Sequence, residues 1–338
     1  RPGTVRTNIP ITLNQPGYYY LIHNLESSST GSDGITVDAN DITIDMNGFT
    51  LFGGKFTGLS NSDDGIFVSG SHTNIKIYNG GVAGWHGDGI NALNADFSIF
   101  RDLYVGQNNG DGLVTDFNCL IERVAAFSNG FDGIEGDDGT VIYDCTAGQN
   151  GDNGIQSSEG CVVADSASFD NAADGFDIAS GSVIQNSVAS DNAIFGFDIG
   201  LGSQIVESTA YDNMSNGFDM FSACIIRDCI ASLNSGHGIR TFANSWVIDN
   251  KAHENDLDGI RISSGDVHVE GNQVTDNDQT GLAVTASGCF IVRNTAAGNV
   301  TNYNIIATSA FGPIIDVNGD GDISAVAGAD HPWANFEF

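Results

Sequence analysis

The chain has 338 residues, with 43 acidic and only 11 basic side chains, for a formal net charge of −32. That balance excludes a nucleic-acid-binding surface, which needs clustered Lys and Arg to neutralise phosphates. Forty-four glycines and 41% hydrophobic residues exclude a disordered chain and a helical bundle, and no apolar run reaches the roughly 20 residues that span a bilayer.

Residues 1–30 carry Pro10, Pro16 and the triplet Tyr18 to Tyr20. They are expected to cap an open strand edge. Residues 31–300 are a repeat. A polar residue, a glycine and a large apolar residue recur at Gly112, Gly133, Gly154, Gly175, Gly196, Gly217, Gly238 and Gly259, at intervals of 21. Looser copies stand at Gly34, Gly65, Gly89 and Gly281. Four residues before the glycine runs an asparagine column from Asn108 to Asn277, and one residue after it a Leu, Ile or Phe column from Leu113 to Leu282. A unit this short cannot hold paired helices, and its alternating Val, Ile and Phe segments read as strands. The leucine-rich and nonapeptide calcium patterns are absent. The reading is an all-β, single-domain parallel β-helix of about a dozen coils, each strand pairing with its copy ~4.8 Å away. Residues 301–338 leave the register and carry Pro313, Pro332 and Trp333. They are expected to form a C-terminal cap or tail.

Six cysteines occupy columns otherwise filled by Ser and Thr, such as Cys229 with Ser166, Ser187 and Ser208. They read as small buried residues interchangeable with serine, with a cross-core bridge as the alternative.

The column two residues after the glycine should face outward, because positions one and three face the core. It reads Glu135, Gln156, Asp177, Asp198, Asp219, Arg240, Arg261. Aspartates one rung apart repel by roughly 3 kcal/mol at an effective dielectric near 20. A raised pKa, the arginine above or a bound cation must compensate. Phe221 and Phe242, four residues after successive glycines, are placed to pack against sugar rings if exposed. Simple duplication of a solvated acidic face is the competing explanation. The tail segment Asp316, Asn318, Asp320, Asp322 matches the core of a calcium loop, but Ala327 stands where the bidentate acid belongs.

Over residues 10–310 the chain resembles the right-handed parallel β-helix proteins of the pectate-lyase-like superfamily. The phrase GITVDANDITIDMNGFTLFGG, from Gly34 to Gly54, looks like that group's opening coils. The resemblance supplies the handedness. It also implies a calcium-assisted lyase on an acidic glycan, with Asp177, Asp198 and Asp219 as Ca2+ ligands and Arg240 as base. Gln156, Arg261, Phe221 and Phe242 would then bind substrate. Partial likeness to polygalacturonase-type hydrolases rests on GHG at Gly236–Gly238, which makes His237 a catalytic candidate, and on Asp177 and Asp219 as spaced carboxyls. Residue types at Gln156, Asp177, Asp198 and Arg240 are also those of pectin methylesterases, without the flanking phrases. Expected partners are a polysaccharide or a cell-surface partner, with oligomerisation left open and an extracellular or cell-surface location. A non-catalytic adhesion or self-assembling solenoid is the alternative.

Overall fold

The computed structural model describes residues 9–27, 31–57, 63–317, 323 and 326–338. They fall into two compact units, Arg1–Ala173 and Asp174–Phe338. Each unit is a stack of parallel coils. Among the described residues, the first strands of successive coils pair in the first unit from Ile11–Leu13 through Ile35–Val37, Ile66–Val68, Ile90–Ala92, Leu113–Thr115 and Ile134–Gly136 to Ile155–Ser157. In the second unit they pair from Phe176–Ile178 through Phe197–Ile199, Phe218–Met220, Ile239–Thr241, Ile260–Ile262 and Thr280–Val284 to Thr301–Ile305. Seven such strands in each unit among the described residues make more coils in all than the dozen expected.

Ile11–Leu13, Gly17–Tyr20 and Leu25–Glu26 each pair with the following coil, so the segment expected as an N-terminal cap is itself a rung. Beyond residue 300 the pairing continues through Thr301–Ile305, and Asn335–Glu337 lies between Thr295–Ala297 and Ile314–Asp316. The tail is thus tied into the last coil.

The repeat columns explain the coil. Ile134 and Ile155 in the first unit, and Phe176, Phe197 and Phe218 in the second, are fully buried. The three phenylalanines stack at 4.7 and 4.9 Å, nearly parallel, because identical side chains recur one rung apart. The asparagines form a buried amide ladder. Asn129 Nδ2 donates to Asn150 Oδ1 at 3.1 Å and Asn213 Nδ2 to Asn234 Oδ1 at 2.9 Å. The same oxygens accept the backbone N–H groups of Asn129 and Asn213, so each buried amide oxygen takes two donors from the neighbouring rung. The glycine column is steric: a Cβ on Gly196 would lie 2.6 Å from the Gly217 oxygen and 2.8 Å from Asn213 Nδ2.

Three positions per coil are left-handed, the first of them filled by Gly139, Gly160, Gly181 and Gly202 on successive coils. Asp144, Asp165, Asn186, Glu207, Asp228 and Asp249 have φ between 48° and 56°, and Asp170, Asp191 and Asp212 repeat this at the next corner. Short polar side chains tolerate that backbone best. Part of the acid excess is therefore corner chemistry. All six cysteines are free and buried. Cys229 Sγ takes the Ser208 N–H at 3.5 Å, where Ser187 N–H meets the Ser208 hydroxyl at 3.2 Å.

Candidate functional site

In the second unit the outward column is as the periodicity predicts. Asp177, Asp198, Asp219, Arg240 and Arg261 are register partners on successive strands. Their neighbours Phe176, Ile178, Phe197, Ile199, Phe218 and Met220 point inward and are buried.

The electrostatics of the column are uneven. Asp219 is buried and is held by a two-point ion pair, with Arg240 Nε to Oδ1 at 2.7 Å and Nη2 to Oδ2 at 3.0 Å. Burial raises its carboxyl, and Arg240 pulls it back down. Asp198 has no such partner. Burial, then Asp177, Asp174 and Asp219, push its carboxyl up to about 7. The Arg240 guanidinium also sits 5.2 Å from the centre of the Phe242 ring, a cation–π contact. Phe242 neighbours the exposed Phe221 at 6.3 Å. These two rings and the two arginines form one outer surface with the aspartates.

Arg261 is anchored differently. Its Nη1 meets Asp258 Oδ2 at 2.9 Å. Asp258 is buried, and its Oδ1 accepts the Thr280 N–H at 3.0 Å. His237 Nδ1 accepts the Asp258 N–H at 3.1 Å. A ring nitrogen that accepts carries no proton, so this geometry selects the neutral ring with hydrogen on Nε2. Burial lowers the His237 pKa, with Arg261 and Arg240 pushing the same way against Asp258.

Asp258 and His237 belong to the polar column just before each glycine, whose part as a ladder of backbone acceptors spacing alone does not show. In the first unit it reads Asp33, Asp64, Asp88, Asp111, Asp132 and Asn153. Each side chain accepts the backbone N–H of its successor: Asp88 N–H to Asp64 at 2.7 Å, Asp132 N–H to Asp111 at 2.7 Å, Asn153 N–H to Asp132 at 2.7 Å. In the second unit Asp174, Asn216, His237 and Asp258 do the same for Phe195, His237, Asp258 and Thr280. The signal was present: an Asp, Asn or His before most column glycines.

Several expectations change. The Asp177, Asp198, Asp219 line does not fit calcium, which takes six to eight oxygens: the Arg240 guanidinium already holds both oxygens of Asp219. Arg240 donates two hydrogen bonds to Asp219 in that pair, which opposes its role as a base. Gln156 stands in the first unit, opposite Glu135. Asp316 is the exposed last residue of its strand, opposite Glu337, and Asn318, Asp320 and Asp322 lie outside the described residues. The one tight acidic group among the described residues is Asp111, Asp132 and Glu135, with carboxylate oxygens within 4.8 Å of one another. Burial first, then neighbouring acids, push Asp111 and Asp132 up to about 7. Both already accept a turn N–H, and three side chains fall short of a calcium shell.

A profile described as a right-handed beta helix region matches residues 202–321. No curated protein matches the chain. Among solved structures, a variant of the periplasmic alginate epimerase AlgG is similar at 13% identity and a TM-score of 0.51, covering 92% of this chain and 78% of that one. The A-module of the Azotobacter vinelandii mannuronan C-5 epimerase AlgE4 is 14% identical, with a TM-score of 0.49 and coverage of 88% and 84%. The pectate lyase Pel9A is 16% identical, with a TM-score of 0.41 and coverage of 93% and 86%. At such identities the likeness is one of fold.

Proposed function

Taking the chain as a right-handed parallel β-helix of the pectate-lyase-like type, we propose that the outer face over residues 174–261 acts on an acidic polysaccharide outside the cell, by proton transfer at a uronate ring. The observation that carries this reading is Asp198. Its carboxyl sits near pKa 7, where a group both accepts and returns a proton at neutral pH. Two and three rungs further along the same column stand two fixed guanidiniums, Arg240 and Arg261, and the exposed Phe221 ring lies next to Phe242. The likeness of fold to an alginate epimerase supports the polysaccharide class.

In this reading Arg240 and Arg261 receive a substrate carboxylate, and Phe221 with Phe242 supports a sugar ring. Deprotonated Asp198 takes the C5 proton. The C5–H electron pair becomes the C4=C5 double bond, the C4–O4 glycosidic bond breaks, and the leaving oxygen takes a proton from solvent. The arginines must reverse the field of a chain carrying −32, which is why both sit on this face. None of these steps calls for calcium.

The test is incubation with pectate, alginate and other polyuronates, following the ultraviolet absorbance of unsaturated uronate. Activity should rise with pH through about 7, where Asp198 ionises. Asp198→Asn should lower it at least 100-fold, the usual reach of a general acid–base group, with unchanged circular dichroism. New reducing ends without unsaturation would transfer the same face to hydrolysis. Binding without any product would leave the non-catalytic adhesion reading.

A further inference from the structure

A second outward column runs along the second strand of each coil in the Asp174–Phe338 unit. Val183, Gln204, Ile225, Trp246, His268 and Phe290 are successive register partners. From Trp246 onward the column is aromatic. Ring centres are 5.4 Å apart from Trp246 to His268, 5.2 Å from His268 to Phe290 and 6.1 Å from Phe290 to Trp333. Trp246 is 52% exposed and Trp333 is 50% exposed.

The fold does not need these rings. Val247, Val269 and Ile291, which point inward from the same strands, fill the core and are fully buried. Lower rungs carry Val183, Gln204 and Ile225 at the same position. A contiguous exposed aromatic run marks a contact surface. A polar line flanks it: Glu270 accepts from Arg293 Nη1 at 2.6 Å and lies 2.8 Å from His268 Nε2, while Arg293 Nε donates to the Pro332 carbonyl at 3.1 Å.

We propose that Trp246, His268, Phe290 and Trp333 form a polysaccharide-holding platform, separate from the Asp198 face. Pyranose rings present a flat C–H face and a rim of hydroxyls. The exposed indoles of Trp246 and Trp333 and the ordered Glu–Arg pair offer contacts for both parts, with His268, Phe290 and Trp333 set edge to face at 83° and 79°. Ring centres lie 5.2–6.1 Å apart, on the scale of one sugar unit in an extended glycan. Charge argues against a second copy of this chain, because two bodies of −32 repel, and against nucleic acid for the same reason. The local charges are already paired, so the platform suits uncharged sugar rings better than acidic ones, which the net charge of −32 repels. The inference shares with the proposed function the idea that the partner is a polysaccharide, but it uses none of the same residues.

The experiment is native electrophoresis of the full chain through gels containing pectate, alginate, xylan or hydroxyethyl cellulose, with Trp246→Ala, Trp333→Ala and the double variant. Wild type should be retarded in at least one gel. Each single variant should weaken that retardation about tenfold, the effect of losing roughly 1.4 kcal/mol, and Trp246→Phe should retain most of it. Unsaturated product from short oligouronates should be unchanged in both Trp variants, and Asp198→Asn should lose product yet keep full retardation. Because both indoles are exposed, thermal melts should match wild type. Retardation equal in wild type and the double variant, or absent from every gel, overturns the platform. So does a concentration-dependent dimer in sedimentation that the Trp variants abolish.

Discussion

The two units use the same coil and place their acids differently. In Arg1–Ala173 the buried carboxyls stand at the turn, where each receives a backbone N–H from the next rung. In Asp174–Phe338 the turn acceptors are mixed: Asp174, Asn216, His237 and Asp258. There the acids have moved to the strand. On the strand, Asp219 is held by Arg240, whereas burial and neighbouring acids push Asp198 up to about 7 against the Ile199 N–H that it accepts. The comparison separates structural acids from acids available for chemistry.

The largest effect should come from the core. Phe197→Ala removes the middle ring of the stack in the second unit and should cost about 3–5 kcal/mol in denaturant unfolding. Ile134→Val, in the equivalent column of the first unit, should cost about 0.5–1.5 kcal/mol. Equal losses would mean the phenylalanine stack adds nothing to the repeat.

The ion pairs come next. Arg240→Ala leaves a buried carboxyl without its partner and should cost roughly 2–3 kcal/mol, below the range for fully buried pairs because Arg240 is partly exposed. Arg123 makes a similar two-point contact with Asp102 in the first unit. There both partners are more than 40% exposed, so Arg123→Ala should cost under about 1 kcal/mol. Similar costs would erase the distinction between the two surfaces.

A pH series sharpens the turn half of the comparison. Asp111 and Asp132 hold their protons to about pH 7 when folded and to about pH 4 when unfolded. Between those values folding takes up protons, so their contribution to stability falls as pH rises and levels off above about 7. The slope is about 1.4 kcal/mol per pH unit for each proton. Asp132→Asn should flatten it by about one proton and keep the turn, because Asn216 already plays that part with an amide oxygen. An unchanged slope would remove Asp132 as the titrating group.

The smallest effect should be Cys229→Ser, within about 1 kcal/mol, since Ser208 fills the same place one rung earlier. Thiol titration should find six reactive groups only after unfolding.

The coil and its facing were legible because they depend on one-dimensional spacing. Gly196, Asn213 and Phe197 announce the turn, the ladder and the core, and Asp198 announces an outward carboxyl. What spacing could not convey was the reach of long side chains. Arg240 extends one rung to grip Asp219, and Arg261 turns toward Asp258 on its own coil. Both choices depend on rotamers and burial, which a column does not carry. The aromatic platform was missed for a related reason. Trp333 joins it from the tail, outside any repeat register.

The amide ladder also bears on how the protein ages. Asn129 and Asn150 are each followed by glycine, the pairing most prone to lose its side-chain nitrogen through attack by the next backbone nitrogen. Here Gly130 and Gly151 donate those N–H groups to the carbonyls of Asn108 and Asn129. The side chains themselves are locked between neighbours. Chemical decay at these sites is therefore gated by opening of the coil, and stored material should deamidate first where the winding has frayed.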